Sequence, residues 1–452
     1  MSEVVSHIPV DFTAAFGEFE AVSQGLPEWL SAGRREALAR VNAAGLPTRR
    51  HEEWKYTNLK PLTETQFDAV ATPATTELDE EQFAAHLAIG DVTLVFVDGV
   101  LATGLCDLKV LAKGVTIMSL AEAALNDPDL VKRHVDEAAP TPDYYPLADL
   151  NRAFLHTGAV IKVGKGVRFV PTLHLVHIGG LANGPVMTSP RYIIALEESA
   201  EAKIVESYLH ARHPEPVGEG TPYFINAVTS IELAPNSQLT HVRIQDDATT
   251  AMHMGLVRAT IARDAKLTSY SHVQGAALTR VNIDIALNGP GAAVELDGLY
   301  LAGGKRHIDH HTRVDHKVPN AHSDQLYKGV LGDQSRAVFN GKVFVREGAS
   351  GTQAFQLNKT LMLSSEAEID TKPELQIDAD DVKCTHGAAI GQLAKDELFY
   401  LESRGIPPGE ARALLANAFA DEAVMRLPPG RVVERVRSMV KTIITKTSGS
   451  LA

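Results

Sequence analysis

The chain is predicted to be mainly β, a parallel β-helix flanked by N-terminal and C-terminal α-helical segments. Three observations carry this expectation. From about residue 157 to 391, short β-rich runs alternate with compact turns of Gly, Asn, Asp, Pro and Ala, and no helical pattern intervenes. The turns at Asn236, Asp264 and Gly291 stand 28 and 27 residues apart, the scale of a solenoid coil, whereas sandwich and barrel turns recur at roughly 8–12 residues. The order "polar turn, small residue, alternating strand" also returns in ELAPNSQLTHVRI, IARDAKLTSYSHV and LNGPGAAVELDGLYL. Such a stack buries its core between coils and leaves edges at both ends, which the helical segments are expected to cap.

The elements follow in chain order. Phe12, Phe16 and Phe19 recur at helical spacing, and Leu30, Ala37, Leu38 and Val41 mark a second helix ending before Gly45 and Pro47. In GLPTRRHEEWKYTNLKPL (45–62) a dense polar run surrounds Trp54 and Tyr56, as in a connection pinned by a packed Trp. Thr72 to Glu81 reads as a loop. The β pattern begins at Asp91, with VTLVFVDGVL broken at Asp98-Gly99; Leu120 to Ala139 is helical in pattern, and PTPDYYPLADLNRAF is a Pro-rich passage into the core. After Gly391 helices return: KDELFYLESRG ending at Gly405, then PPGEARALLANAFADEAV with Ala411, Leu414, Leu415, Ala418 and Phe419 on one face, then a helix repeating Val432, Val436, Met439, Val440 and Ile443. The resulting division is 1–90 mainly helical, 91–156 mixed, 157–391 β-helix core and 392–452 helical.

Composition removes several function classes. A formal net charge of −13 over 452 residues argues against a protein that coats nucleic acid, because phosphate binding needs clustered Lys and Arg. The first residues, MSEVVSHIPVDF, lack a basic and apolar leader pattern, and no window of about 18 apolar residues occurs, so a cytoplasmic protein without membrane contact is expected. GLYLAGGKR lacks the Lys and Ser/Thr of a P-loop, and GPGAAV lacks the third glycine of a dinucleotide fingerprint. The only two cysteines, Cys106 and Cys384, are too few for the chain to hold an iron–sulfur cluster, which ordinarily takes four thiolates, unless other ligands or another protein contribute.

Two places could carry chemistry. In TKPELQIDADDVKCTHG (371–387) an extended Val382–His386 puts Cys384 and His386 on one face, roughly 6.5–7 Å apart along the strand. Their alternatives are a buried small hydrophobe beside a hydrogen-bonded ring, or a thiol–imidazole pair for which no oxyanion or orienting group is evident. In KRHIDHHTRVDHK, His307, Asp309 and His311 share a wholly polar face and are candidate metal ligands. Alternating charges beside histidines equally describe a solvated or interface ladder.

Five passages in order resemble one family: RHEEWKYTNLKPL (50–62), DHHTRVDH with HSDQLYKGV (309–330), RAVFNGKVFV (336–345), SEAEIDTKPELQIDADDVKCTHGAAIG (365–391) and LFYLESRGIPPGEARALLANAFADE (398–422). They resemble the SufB/SufD scaffold family of Suf iron–sulfur cluster assembly, and EEWKYTNL together with the histidine after Cys384 resembles its SufD branch. The resemblance implies a right-handed β-helix and a non-catalytic scaffold subunit. It further implies a heterodimer with SufB through the β-helix, and an ABC-type ATPase, SufC, docked on the C-terminal helices. His386 and Cys384 would lie at the cluster-assembly interface. Leu398, Phe399, Leu401, Arg404, Leu414, Leu415 and Phe419 would belong to the ATPase-docking segment. No cofactor is expected to be held tightly by the isolated chain, while iron or a cluster would be shared transiently with SufB. Unpaired β-helix edges make a homodimer of the isolated chain an expectation too. The alternative function is a free-standing metal-dependent enzyme using His307, Asp309 and His311.

Overall fold

A computed structural model describes residues 7–23, 25–69, 80–135, 145–182, 184–211 and 221–449. Each coil gives one strand to each of two parallel sheets, and eight coils run from Gly158–Val163 with Arg168–Gly179 to Glu368–Ile377 with Lys383–Gln392. Strands pair with the equivalent strands of the coils before and after; Gln238, Lys266 and Ala293 stand in one register column. The expected parallel β-helix is therefore what the chain forms, and no helix interrupts the coils among the described residues. Ahead of the coils, Val92–Val97 joins the second sheet and Val115–Ser119 the first. Asp98 and Gly99, both at positive φ, close the hairpin from Val97 to Val100.

The turn from first to second sheet repeats one device. Gly166, Ser199, Asn236, Asp264, Gly291, Asn320, Gly351 and Asp381 all adopt positive φ, at least one such residue per coil. Gly, Asn and Asp tolerate this left-handed conformation best, which is why the turns read as polar. The corners also bond to each other, Asn236 N–H to the Arg263 carbonyl and Asp264 N–H to the Pro290 carbonyl, each at 3.0 Å. The next residue points into the corner, and in five coils it is a small, buried one: Ala200, Ser237, Ala265, Ala292 and Ala321. Along the strands Leu196, Leu233, Ile261 and Leu287 stack in register between the sheets, each such side chain contributing roughly 1.5–3 kcal/mol on burial.

The helical segments do not cap the ends as expected; they clad the sides. Phe16 and Phe19 of helix Thr13–Val22 and Ala37, Leu38 and Val41 of helix Glu28–Ala44 pack with Met252, Met254, Leu256 and Leu278 on the outer face of the first sheet. Ala416, Ala420 and Ala423 of helix Pro408–Val424, with Val436, Met439 and Val440 of helix Arg431–Gly449, cover Val242, Ile244, Leu299, Leu301 and Val330 on the second. The reason lies in the strands: parallel sheets bury both faces, so the outward residues are apolar too and need cover. The expected apolar face of Pro408–Val424 is also corrected. Alanines at 416, 420 and 423 face the sheet, where a small side chain lets helix and sheet approach, while Leu414 and Ala418 are exposed.

Other expectations are adjusted locally. The helical pattern from Leu120 forms two helices, Leu120–Asn126 and Pro128–Val135, with residues 136–139 outside the described residues. The Pro-rich passage holds a helix, Pro146–Ala153, because proline at a first helical position costs no hydrogen bond. Most of the loop expected at 72–81 also lies outside the described residues, and a helix begins at Glu80.

Asn236→Val should lower the urea midpoint by an amount equivalent to about 1–2 kcal/mol, since a β-branched residue is strained at φ 60°. Asn236→Gly should leave it within about 0.5 kcal/mol. Equal melting of Asn236→Val and the parent would contradict the corner ladder as a stabilising device.

Candidate functional site

The last coil is built differently from the rest. Strand Lys383–Gln392 is paired along one edge with Gln353–Met362, and Glu368–Ile377 along one edge with Arg336–Val345; among the described residues no strand pairs with either free edge. Residues that would be interior elsewhere lie open here, Ile377 at 42% and Ile390 at 54% exposure. Cys384 stands over Ala354 and His386 over Gln356, both on the inward row, as alternation along the strand requires. Cys384 is half-buried against Val343, Val345, Ala349 and Ala354, whereas His386 is exposed at the mouth. Beneath it the row stays polar: Gln356 lies over Gln325, whose Oε1 accepts a 2.8 Å bond from Thr312 Oγ1. Gly341 of the RAVFNGKVFV motif makes room for that row, because a Cβ there would come 2.1 Å from Gln356 Nε2.

This geometry decides what the pair can do chemically. Burial pushes the Cys384 thiol up, so at neutral pH it is a protonated thiol and no ready nucleophile. His386 makes no side-chain hydrogen bond to the described residues, so nothing orients it as a general base. What remains is an exposed imidazole with a thiol two residues away, at an open edge.

The histidine tract is placed on the outer face of the first sheet, where His307, Asp309 and His311 do share one face. They are covered by the HEEWKYT passage from some 250 residues upstream. Thr57 Oγ1 donates to Asp309 Oδ2 at 2.5 Å and lies 2.9 Å from His307 Nε2. Glu53 reaches His311 Nδ1 at 3.4 Å and pairs with Lys342. Arg280 donates to Asp309 Oδ2 at 3.0 Å and to the Glu53 carbonyl at 2.6 Å, its guanidinium 3.8 Å from the Trp54 ring centroid. Burial opposes ionisation of Glu53, yet hydrogen bonds from His311 and Lys342 hold its carboxyl at about 2. Burial likewise raises Asp309, but His311 and Arg280 overcome this and hold it well below the carboxylate range. A metal cation on this face would meet the fixed charge of Arg280. Among the described residues no group of three or more His, Cys, Asp or Glu is placed to hold a metal ion. The tract is a charged ladder that fastens the N-terminal passage, and Trp54 is the packed pin that the sequence suggested, stacked on Tyr145. Cys106 is half-buried, with its thiol 3.4 Å from the Ala102 carbonyl.

At the C-terminal helices, Phe399 is 73% and Leu414 52% exposed, with Tyr400 and Arg404 exposed beside Phe399. Leu398, Leu401 and Leu415 are half-buried. Phe419 does not join the exposed set; its ring lies 3.8 Å below Lys328 Nζ. Contacts not singled out in the sequence fix the far end of the helix: Lys328 to Glu422 at 2.6 Å, and Arg426 to Asp297 and Asp324 at 3.3 and 3.0 Å. Lys328 and Glu422 sit inside two of the quoted motifs, YKG and FADE, which was the available signal; their pairing across 94 residues was not.

Fold and site together define the class, a parallel β-helix clad by helices on two faces and open at its last coil. The family model described as SUF system FeS cluster assembly, SufBD core domain, matches residues 178–419, and that of the SufBD protein N-terminal region matches residues 11–175. The chain is 31% identical over 426 residues to an iron–sulfur cluster assembly SufBD family protein of Synechocystis sp., covering 93% of each. It is 32% identical over 398 residues to the iron–sulfur cluster assembly protein SufD of Escherichia coli, covering 86% of this chain and 87% of that one. With SufD of Bacillus subtilis it shares 24% identity over 440 residues, 93% and 94% of the two chains. The chain belongs to the SufBD family of iron–sulfur cluster assembly proteins.

One carboxyl of the helix clamp titrates where it can be measured. Burial raises Asp297 to about 7, Asp324 and Glu295 add to this and Arg426 offsets part of it. Its folded pKa lies above the unfolded value of 3.8, so the folded state is favoured with the proton on, and stability falls as pH rises from about 4 to about 7. Between about pH 5 and pH 8 the wild type should lose on the order of 2–3 kcal/mol relative to Asp297→Asn, by urea denaturation at both values. Parallel pH profiles would mean that Asp297 is already ionised in the fold.

Proposed function

We propose that the chain is a non-catalytic scaffold subunit of a cytoplasmic Suf assembly complex, and that its open coil pairs with SufB to complete a shared cluster-assembly site. One observation carries the reading: among the described residues the two strands of the last coil keep free edges, and the mouth between them displays Cys384 and His386. Free strand edges are templates for pairing with another β-rich chain. A chain with two cysteines cannot supply four thiolates, so the remaining ligands belong to the partner. On this reading iron, sulfide and the nascent cluster are cargo. His386, as a neutral imidazole, ligates iron or moves a proton at the interface. Cys384 becomes a thiolate only when a metal or cation at the mouth draws off its proton.

The same reading places an ABC-type ATPase, SufC, on the C-terminal helices, where Phe399, Tyr400 and Leu414 form an exposed apolar set. ATP binding there would alter the interface at the open coil. No helix among the described residues is long and apolar enough to cross a membrane, which suits a cytoplasmic assembly. In the absence of SufB, a second copy of this chain would use the same free edges.

His386 is exposed, so His386→Ala should leave thermal unfolding unchanged. In the reconstituted complex the rate of cluster formation, followed by visible absorbance, should fall by about tenfold or more, the scale on which metal-site partners act. An unchanged cluster yield would remove His386 from the site.

A further inference from the structure

Beside the Arg426 contacts just beyond it, the helix proposed to carry the ATPase is tied to two adjacent strands below the open coil through one carboxylate. Lys328 lies on the outer face of strand His322–Leu331 at 1% exposure, a burial that lysine tolerates only with a partner. That partner is Glu422 of helix Pro408–Val424, 2.6 Å from Lys328 Nζ, and the Phe419 ring forms the wall of the same pocket. The other carboxylate oxygen of Glu422 lies 3.5 Å from Lys359 Nζ on the adjacent strand Gln353–Met362. Lys359 is in register with Ala389 of the last strand. Gln353–Met362 is also the one strand, among the described residues, on which Lys383–Gln392 is hydrogen-bonded. A shift of the helix therefore cannot leave Glu422 in place without carrying Lys328 and Lys359, and the second of these moves the support of Cys384 and His386. Alanines 416, 420 and 423 pack in the same cluster as Val330 and Leu361 of these two strands.

We propose that Glu422, Lys328 and Lys359 form a coupling latch through which the position of helix Pro408–Val424 sets the packing of the last coil. The three are positioning residues: none touches the open mouth. For its nucleotide-linked part the inference rests on the proposed ATPase docking, whereas the coupling itself belongs to this chain alone.

Hydrogen exchange read by mass spectrometry on the full chain tests it, with Glu422→Gln and the double variant Lys328→Met, Glu422→Gln, which removes the buried charge that the single change strands. In both, exchange in 383–392 should rise at least fivefold, while Glu201–His210, three coils or more away, stays unchanged. Faster exchange confined to residues 408–424, with 383–392 as in the parent, would overturn the latch as local packing only. In complex with the ABC-type ATPase, adding ATP should change exchange in 383–392 of the parent and fail to do so in the double variant. Persistence of that change with the ATPase still bound to the double variant would also overturn the latch. Failure of the ATPase to bind the parent would instead overturn the docking reading, and the result on the free chain would decide the latch by itself.

Discussion

Everything in this molecule depends on the in-register parallel hydrogen bonding of one coil on the next. A coil has no core of its own, so each is held by its neighbours, and a slip of one residue would turn every inward side chain outward. The corner residues at positive φ, from Gly166 to Asp381, fix where each strand begins and so fix that register. Propagation by neighbours also explains the special status of the last coil. Its free edges cost little while water solvates them, but among the described residues both of its strands are left without a following coil.

Register also accounts for the separated motifs. Glu52 and Glu53 sit in one passage, His311 in a second, Lys342 in a third and Lys372 in a fourth. Glu53 meets His311 and Lys342, and Glu52 meets Lys372 at 2.7 Å. His311 and Lys342 lie on neighbouring strands, as do Lys342 and Lys372. The N-terminal passage thus reads across three consecutive coils, and its acidic residues fit only if those coils are stacked as they are. On the opposite face Glu422 and Arg426 do the same with cationic and anionic partners respectively. The β-helix is gripped from both sides by charge patterns that recognise its register, while alanine, leucine and aromatic contacts supply the bulk of the burial.

Much of the fold was legible because its determinants are local. A turn needing a left-handed residue, a corner needing a small one and a strand alternating in polarity all leave marks within a few residues, as at Asn236-Ser237 and Asp264-Ala265. The cladding was not legible, because Met252 and Val242 look the same whether they face the lumen or a helix. The alanine stripe was misread for a related reason: periodicity gives weight to Leu414 and Leu415, whereas close approach to a sheet selects for size. Within the site, the shared face of Cys384 and His386 followed from period-two alternation. The fate of the histidine tract did not, because its partners Thr57 and Glu53 lie some 250 residues away and neither has a sequence pattern pointing to it.

The distribution of charge around the two candidate sites explains why one is finished and the other is not. At Asp309, His311 and Glu53 the charges are matched: Arg280 and Lys342 balance Asp309 and Glu53, and burial without such balance would have cost several kcal/mol per ion. At Cys384 and His386 no ion pair is formed among the described residues, the thiol is held protonated by its apolar neighbours and the ring lies exposed at the mouth. A group left in that state gains most from a partner that brings a cation and further thiolates, since these lower the thiol pKa and desolvate the ring together. Incompleteness at the open coil is thus electrostatic as well as topological, and on the proposed reading both deficits would be met by one event, the docking of a thiol-richer β-helix on the free edges.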